Sequence, residues 1–302
     1  MNILVTGGAG FIGTHVVNML LEDGHKVSVI DNMVHGNGSN LPKNVPLYKM
    51  DIVDSSIEDA FKIEKPEIVI HNAAQISVAH SVKDPIYDAK VNVLGSVNIL
   101  EMCKKYGVKK VIYPASAAIF GEPKYLPIDE KHPLDMISQY GITKHTVEHY
   151  LSVYKELYGI NYTVLRYSNV YGPGQDSSGE GGVVSIFAEK LLKGESLCIY
   201  GNGEQVRDFV YVKDVAKANL YALNSLHNEI YNVCTNTRIT INHLAELMCS
   251  VQGEKVDIIH IGERAGDIFE SYMSYDKINS ACGWKPEYDL KSGIEETMRS
   301  FN

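Results

Sequence analysis

Apolar residues fall first in a short unbroken run, then at helical spacing, and the two textures alternate along the first half of the chain. Asn2-Ile3-Leu4-Val5-Thr6 has the character of a strand buried on both faces, and Val16, Val17, Leu20 and Leu21 follow on one helical face. Lys26–Ile30, Glu67–His71 and Lys109–Tyr113 are further strand-like runs, the last two flanking a helix-like segment from about Pro85 to Tyr106. Such alternation predicts parallel strands joined by right-handed crossovers, an α/β fold with a doubly wound sheet. From Pro173 the texture changes. Gly172-Pro173-Gly174 and Ser177–Gly182 read as a loop. Short strands and helices follow, with a return to the main sheet expected around Asp208–Ala222 and Ile230–Val233. The expected division is one domain of 1–166 plus about 208–234, and a smaller, discontinuous α/β domain of about 167–207 plus 235–302.

Between the first strand and the first helix stands Gly7-Gly8-Ala9-Gly10-Phe11-Ile12-Gly13. Glycines so placed make a tight turn, admit a pyrophosphate to the backbone and let helix and strand pack closely. The helix start then offers free N–H groups and a favourable dipole to phosphate. The second strand ends in Asp31, and an acidic residue there accepts bonds from adenosine ribose hydroxyls and repels a 2′-phosphate. Strand, glycines, helix, strand and acid in that order predict a Rossmann-type domain that binds NAD rather than NADP. Ligands of such sheets lie beyond the carboxyl ends of the strands. Asp51-Ile52, Asn72-Ala73-Ala74-Gln75, Ala115–Ala118 and Tyr167-Ser168-Asn169 occupy those places. Ala73 and Ala74 are small enough for a flat cofactor to pass, and Asp51 is placed for an adenine amino group; each is equally compatible with a plain loop.

Downstream, Tyr140-Gly141-Ile142-Thr143-Lys144 puts a phenol and an ammonium one helical turn apart on one face. A nearby positive charge favours the phenolate and lowers a tyrosine from its usual pKa of about 10, giving a general base near neutral pH. The spacing alone is common in helices; the nucleotide-binding context gives it weight.

Composition narrows the partners. A formal charge of −9 over 302 residues argues against nucleic acid and an anionic membrane surface, so basic groups for a phosphate ligand must be local. The first apolar run is too short for a secretory leader, and no stretch approaches a membrane span. Five cysteines without paired or metal-like spacing suit a reducing cytoplasm, and no metal site is expected.

Taken together these blocks resemble the extended short-chain dehydrogenases/reductases, most closely the nucleotide-sugar 4-epimerases of the UDP-glucose type. The resemblance runs from Asn2 to about Ile294. It is carried by Thr6–Gly13, Asp31-Asn32, Asn72–Gln75, Asn92, Ser116–Gly121 and Tyr140–Lys144, then by Leu165–Pro173, Tyr200–Phe209, Arg264–Asp267 and Gly283–Pro286. It implies tightly bound NAD held by Gly7, Gly10, Phe11, Ile12, Gly13, Asp31, Asn32, Asp51, Ile52, Ala73, Ala74, Gln75, Asn92, Tyr140, Lys144 and Tyr167. It implies Ser116, Tyr140 and Lys144 as catalytic residues acting on the hydroxyl at carbon 4 of a UDP-hexose, through a transient 4-keto sugar. The nucleotide sugar would be held by Ser116, Tyr140, Asn169, Val183, Arg207, Arg264, Asp267 and Ser271. Arg207 next to Asp208 has a structural alternative, a local ion pair. A homodimer is implied, paired through helices near Pro85–Tyr106 and Tyr140–Tyr158.

Within the resemblance, 4,6-dehydratases carry an acid pair after the residue matching Ser116, where this chain has Ala117 and Ala118. Glucuronate decarboxylases carry a glutamate in that loop, and many uronate 4-epimerases a threonine in place of Asn169. Subtraction favours a neutral-sugar 4-epimerase, with those enzymes as the alternative. A bulky residue at the position of Ser271 blocks an N-acetyl group in glucose-only epimerases; the small serine implies that N-acetylhexosamines also fit. Pro114-Ala115, Phe120, Ala265 and Gly182-Val183 depart from the usual pattern.

Overall fold

The computed structural model describes residues 1–36, 38, 40–177, 182–253, 255–263 and 267–301. The chain forms two compact units, one of Met1–Phe120, Leu134–Arg166 and Val215–Tyr231, the other of Gly121–Pro133, Tyr167–Asp214 and Asn232–Asn302.

The first unit opens with β1 (Asn2–Thr6), α1 (Phe11–Glu22), β2 (Lys26–Asp31), β3 (Leu47–Lys49), α2 (Ile57–Glu64) and β4 (Ile68–His71). The helix-like segment after β4 is broken into α3 (Val78–Lys83), α4 (Pro85–Ala89), a π-helical turn over Lys90–Gly95 and α5 (Ser96–Tyr106). Then come β5 (Lys110–Ser116), a 3₁₀ turn at Ala117–Ile119, α6 (Gln139–Tyr158) and β6 (Asn161–Tyr167). Among the described residues seven strands form the central sheet, in the order β11-β6-β5-β4-β1-β2-β3, where β11 is Glu229–Val233. The pairs β1–β2, β1–β4, β2–β3 and β4–β5 are parallel. This is the doubly wound order, with its switch point between β1 and β4, where ligands of such sheets bind.

Burial explains the strands. Leu4, Val5, Val29, Ile30, Val69, Ile70 and Ile112 are fully enclosed, as a sheet covered on both faces requires. The helices bury one stripe each: Val16, Val17 and Leu20 on α1, Ile99, Leu100 and Cys103 on α5, Val147, Leu151 and Tyr154 on α6. Ser138 caps α6 by accepting the Gly141 N–H at 3.2 Å, and Gly159 ends it in the left-handed region.

The second unit contains β7 (Asn169–Tyr171), α7 (Val183–Leu192), β8 (Leu197–Tyr200), β9 (Val206–Arg207) and β10 (Phe209–Tyr211). Helix α8 (Val212–Asn224) starts there, and β12 (Ile239–Thr240), α9 (Ile241–Gln252), β13 (Ile258–Ile261), β14 (Glu270–Ser271), α10 (Asp276–Cys282) and α11 (Leu290–Phe301) follow β11. Its strands make small ladders: β10–β7, β12–β9–β14 and β13–β8. The return to the main sheet expected from Asp208 onward is therefore made by β11 alone; β10 pairs with β7. Trp284 is enclosed, donating Nε1–H to the Asp214 carbonyl at 3.2 Å, while the Asp214 carboxylate accepts the N–H groups of Glu287 and Tyr288.

Candidate active site

The glycine loop after β1 is built for backbone contact. Gly7 has φ +67°, and a Cβ there would stand 2.6 Å from the Ala73 nitrogen at the switch point. A Cβ on Gly13 would meet the Gly7 carbonyl oxygen at 2.0 Å. Gly10 precedes α1 with no side-chain cap and no acidic residue in the first turn, so the helix start, with Phe11, Ile12 and Gly13, is suited to an anion. Asp31 is buried at the end of β2 and accepts the Ala9 N–H at 3.0 Å and the Met33 N–H at 2.8 Å. Asn32 donates to Asp51 at 3.0 Å, and Ile52 is buried beside Gly95 of the π turn.

Beyond β4, both polar atoms of the Asn72 side chain are enclosed without a partner. Buried amides are almost always bonded, and an orphan at a ligand-binding switch point fits a polar ligand group. Ala73 and Ala74 follow it. Gln75 is fixed by Asn92: its N–H donates to Asn92 Oδ1 at 2.8 Å, and its carbonyl accepts from Asn92 Nδ2 at 3.1 Å. The glycine cradle, the uncapped helix and the orphaned amide together fit a dinucleotide.

Ser116 ends β5 and accepts the Ala118 N–H at 3.2 Å. Its hydroxyl also faces the Tyr140 phenol, near enough to lower that group's pKa. Tyr140 begins α6, its N–H held by Ser81 Oγ at 3.1 Å. Lys144, one turn on, is buried with Nζ 4.7 Å from the Tyr113 ring centroid. Tyr140 and Lys144 thus stand one turn apart on α6, as their spacing predicts, and Ser116 at the end of β5 lies near the phenol. The electrostatics differ from the expected lowering of the phenol. Burial raises the Tyr140 pKa, the Ser116 hydroxyl lowers it and the Asp88 charge raises it. Burial likewise pulls Lys144 down to about 8, against the carboxylates of Asp88 and then Glu148. For half-buried Tyr140 and enclosed Lys144 alike, desolvation outweighs the neighbouring groups.

The second unit assembles its own polar group. Arg207 on β9 pairs with Asp267 and donates Nη1–H to the Val206 carbonyl at 2.9 Å. Ser271 on β14 stands opposite Arg207 in the parallel ladder. Asp208 does not pair with Arg207. It is buried and accepts from Thr235 N and Oγ1, Asn236 N and Met273 N, so the local ion pair is replaced by a backbone clamp. Asn169 donates Nδ2–H to the Asp208 carbonyl at 3.0 Å and, with Val183 and Gln175, lines a small cavity of about 40 Å³. Gln175 Oε1 is enclosed there without a partner. Tyr167 is buried at the end of β6. Arg264 lies outside the described residues.

Several residues near Ser116, Tyr140 and Lys144 escaped the motif reading. Buried His71 meets Thr6 Oγ1 at 2.7 Å and Ser96 Oγ at 2.9 Å, and burial followed by the Lys144 charge pushes its pKa down to about 3. Arg166 clamps Glu148 with Nε at 3.0 Å and Nη2 at 2.7 Å. Asp88, Thr143 and Ser81 carried no signal beyond being polar in apolar-periodic segments.

A doubly wound sheet with this glycine loop and a Ser-Tyr-Lys group defines a dinucleotide-dependent enzyme of the short-chain dehydrogenase/reductase type. The chain belongs to the NAD dependent epimerase/dehydratase family, whose model matches residues 3–234. It is similar to the UDP-glucose 4-epimerase of Mycolicibacterium smegmatis, 37% identical over 308 residues covering 100% of this chain and 98% of the relative. Among solved structures it resembles the UDP-glucose 4-epimerase of Thermotoga maritima with UDP-glucose (46% identity, TM-score 0.97, covering 100% of this chain and 98% of that one). It also resembles the UDP-N-acetylglucosamine 4-epimerase of Methanobrevibacter ruminantium in complex with UDP-N-acetylmuramic acid (38% identity, TM-score 0.95, 99% and 97%).

Proposed function

We propose that this chain is a UDP-hexose 4-epimerase that keeps NAD bound through its cycle, acting on UDP-glucose/UDP-galactose and on their N-acetylated counterparts. The first unit, with its glycine loop, Asp31, Asn32, Asp51 and Asn72–Gln75, would hold NAD. The second, with Asn169, Val183, Arg207, Arg264, Asp267 and Ser271, would hold the nucleotide sugar. One arrangement carries the reading: the Ser116 hydroxyl faces the Tyr140 phenol, Lys144 lies buried one turn on, and alanines rather than acids follow Ser116.

NAD, when bound, supplies a positive nicotinamide that favours the phenolate and accepts and returns a hydride. Tyr140 Oη takes the proton of the carbon-4 hydroxyl, with Ser116 Oγ bonded to the same oxygen so that the proton has a short path in and out. Lys144 keeps a positive charge beside the phenol. The 4-keto sugar turns over while the nucleotide stays fixed, and Tyr140 returns the proton when the opposite face is reduced. Arg207, paired with Asp267, suits the fixed end, since a guanidinium fork matches diphosphate oxygens. Ala117 and Ala118 offer no acid for elimination at carbons 5 and 6, which disfavours a dehydratase.

Incubation with UDP-glucose and, separately, UDP-N-acetylglucosamine, without added reductant, tests this by proton NMR. The galacto epimer of each is expected, and a 6-deoxy-4-keto product or no turnover by NAD-loaded protein overturns the reading. Ser271→Tyr is expected to abolish turnover of the N-acetyl sugar and spare the plain one; equal loss on both removes Ser271 from the sugar pocket.

A homodimer belongs to the same proposal. Ile142, Tyr150, Val153 and Leu157 are exposed along one face of α6, an apolar stripe suited to a second copy. The five cysteines are free, which suits the reducing cytoplasm.

A further inference from the structure

Asp88, on α4, is completely enclosed. Its Oδ1 accepts from Gln75 Nε2 at 2.7 Å and from Asn92 Nδ2 at 3.1 Å, and its Oδ2 from Thr143 Oγ1 at 2.8 Å. Each of these bonds has its direction set from elsewhere. Gln75 Oε1 accepts the Ser77 N–H, which leaves the amide nitrogen facing Asp88. Asn92 Oδ1 accepts the Gln75 N–H, which leaves Nδ2 facing Asp88. Asn92 Nδ2 has two protons, and the Gln75 carbonyl and Asp88 Oδ1, at 3.1 Å each, lie nearer to it than Thr143 Oγ1 at 3.2 Å; the Thr143 hydroxyl in turn lies nearer to Asp88 Oδ2, at 2.8 Å, than to the Tyr140 carbonyl at 3.1 Å. Two amide donors converge on Oδ1 and a hydroxyl lies against Oδ2, a set of partners that suits a carboxylate.

A buried carboxylate without a cation is costly. In the core around it Glu148 and Arg166 satisfy each other at 2.7 Å, and His71 is held neutral. Lys144 follows Thr143 in the chain and is buried in the same core.

We propose that Asp88 is a positioning residue of the epimerase site. Its carboxylate ties the Tyr140–Lys144 turn of α6 to the loop after β4 and supplies the charge that keeps Lys144 an ammonium. The proposal rests on the reading of Tyr140 and Lys144 as the catalytic pair. The groups that face this pair are Asp88 from α4, His71 from β4, Tyr113 and Ser116 from β5, and Glu148 from α6 itself. Glu101 of α5 is bonded to Tyr154 instead. Of the two carboxylates that hold Lys144 above the value burial would give it, Asp88 is the larger influence, and it also raises the Tyr140 phenol.

Asp88→Asn keeps the shape and removes the charge. In NAD-loaded protein the pH profile of kcat for UDP-glucose is expected to keep its bell form while both limbs move to lower pH, the alkaline one by about one unit. KM is expected to stay unchanged. Fixed limbs with a uniformly lower kcat would mean a structural role alone and overturn the proposal. If the asparagine variant does not accumulate as folded protein, Thr143→Val serves in its place. It removes one donor dipole aimed at the carboxylate, so the alkaline limb is expected to rise; an unmoved limb overturns the proposal. Wild-type protein that turns over no nucleotide sugar would instead defeat the epimerase reading itself, so the two failures are distinct.

Discussion

Gly141 follows Tyr140 for a steric reason. A Cβ at this position would stand 2.7 Å from the Ala118 carbonyl oxygen, in the turn that follows Ser116. The first turn of α6 therefore lies directly on that turn, and a glycine lets Tyr140 approach Ser116 as closely as it does. Gly141→Ala is expected to push the two apart by a few tenths of an ångström or more. Misplacement on the scale of 1 Å can cost about 100-fold in rate, so a shift of about half that should lower kcat by about 10-fold. NAD content, read from the absorbance of the purified protein, should change little because the glycine loop is untouched. Loss of bound NAD in parallel with kcat would show that the contact supports the whole unit rather than the chemistry. The motif Tyr140–Lys144 was legible in sequence because helical spacing fixes which residues share a face. The raised phenol was not, because burial of α6 is set by α3, α4 and β5, whose packing no local spacing reveals.

At the scale of elements, α6 is held by a charge pair as well as by its apolar stripe. Glu148 and Arg166, the latter on β6, are both almost wholly enclosed and joined by two nitrogen–oxygen contacts. Removing one partner strands a buried charge, which typically costs about 3–5 kcal/mol, whereas replacing both with apolar residues is often neutral. Glu148→Gln should therefore lower the denaturant midpoint markedly, and the double change Glu148→Met with Arg166→Met should recover much of it. Equal destabilisation by the single and double variants would show that the pair itself contributes the stability. Neither residue stood out in sequence, since a charge at an otherwise apolar position reveals its partner only after β6 is laid beside β5. The same limit applies to the helix-like segment from Pro85 to Tyr106. Its periodicity was legible, but the π turn at Lys90–Gly95 was not. That turn places Asn92 against Gln75, and it depends on tertiary bonds rather than on residue preference.

Over the whole molecule, the pattern of strand and helix foretold the doubly wound sheet, because strands buried on both faces read as unbroken apolar runs. The second unit was less legible: β9, β12 and β14 are two residues long and leave no alternation to detect. Arg207 and Asp267 meet across 60 residues of chain, a pairing that only the ladder of β9 and β14 brings about. The outer surface of the first unit carries a different message. Ile142, Val153 and Leu157 are 50%, 49% and 65% exposed, and with Tyr150 they recur at the spacing of a single helix face. An aligned apolar stripe on a helix costs free energy in water unless it is covered, and an identical stripe on a second copy covers it by twofold symmetry. Wild-type protein is therefore expected to show about twice the 33.5 kDa chain mass in light scattering after size exclusion. Val153→Glu with Leu157→Glu would place like charges opposite one another at such an axis and should return the mass to that of one chain. Because neither residue touches Ser116, Tyr140 or Lys144, a monomer that keeps its NAD would separate assembly from the site. A wild-type mass of one chain would end the dimer reading and leave the stripe to some other partner.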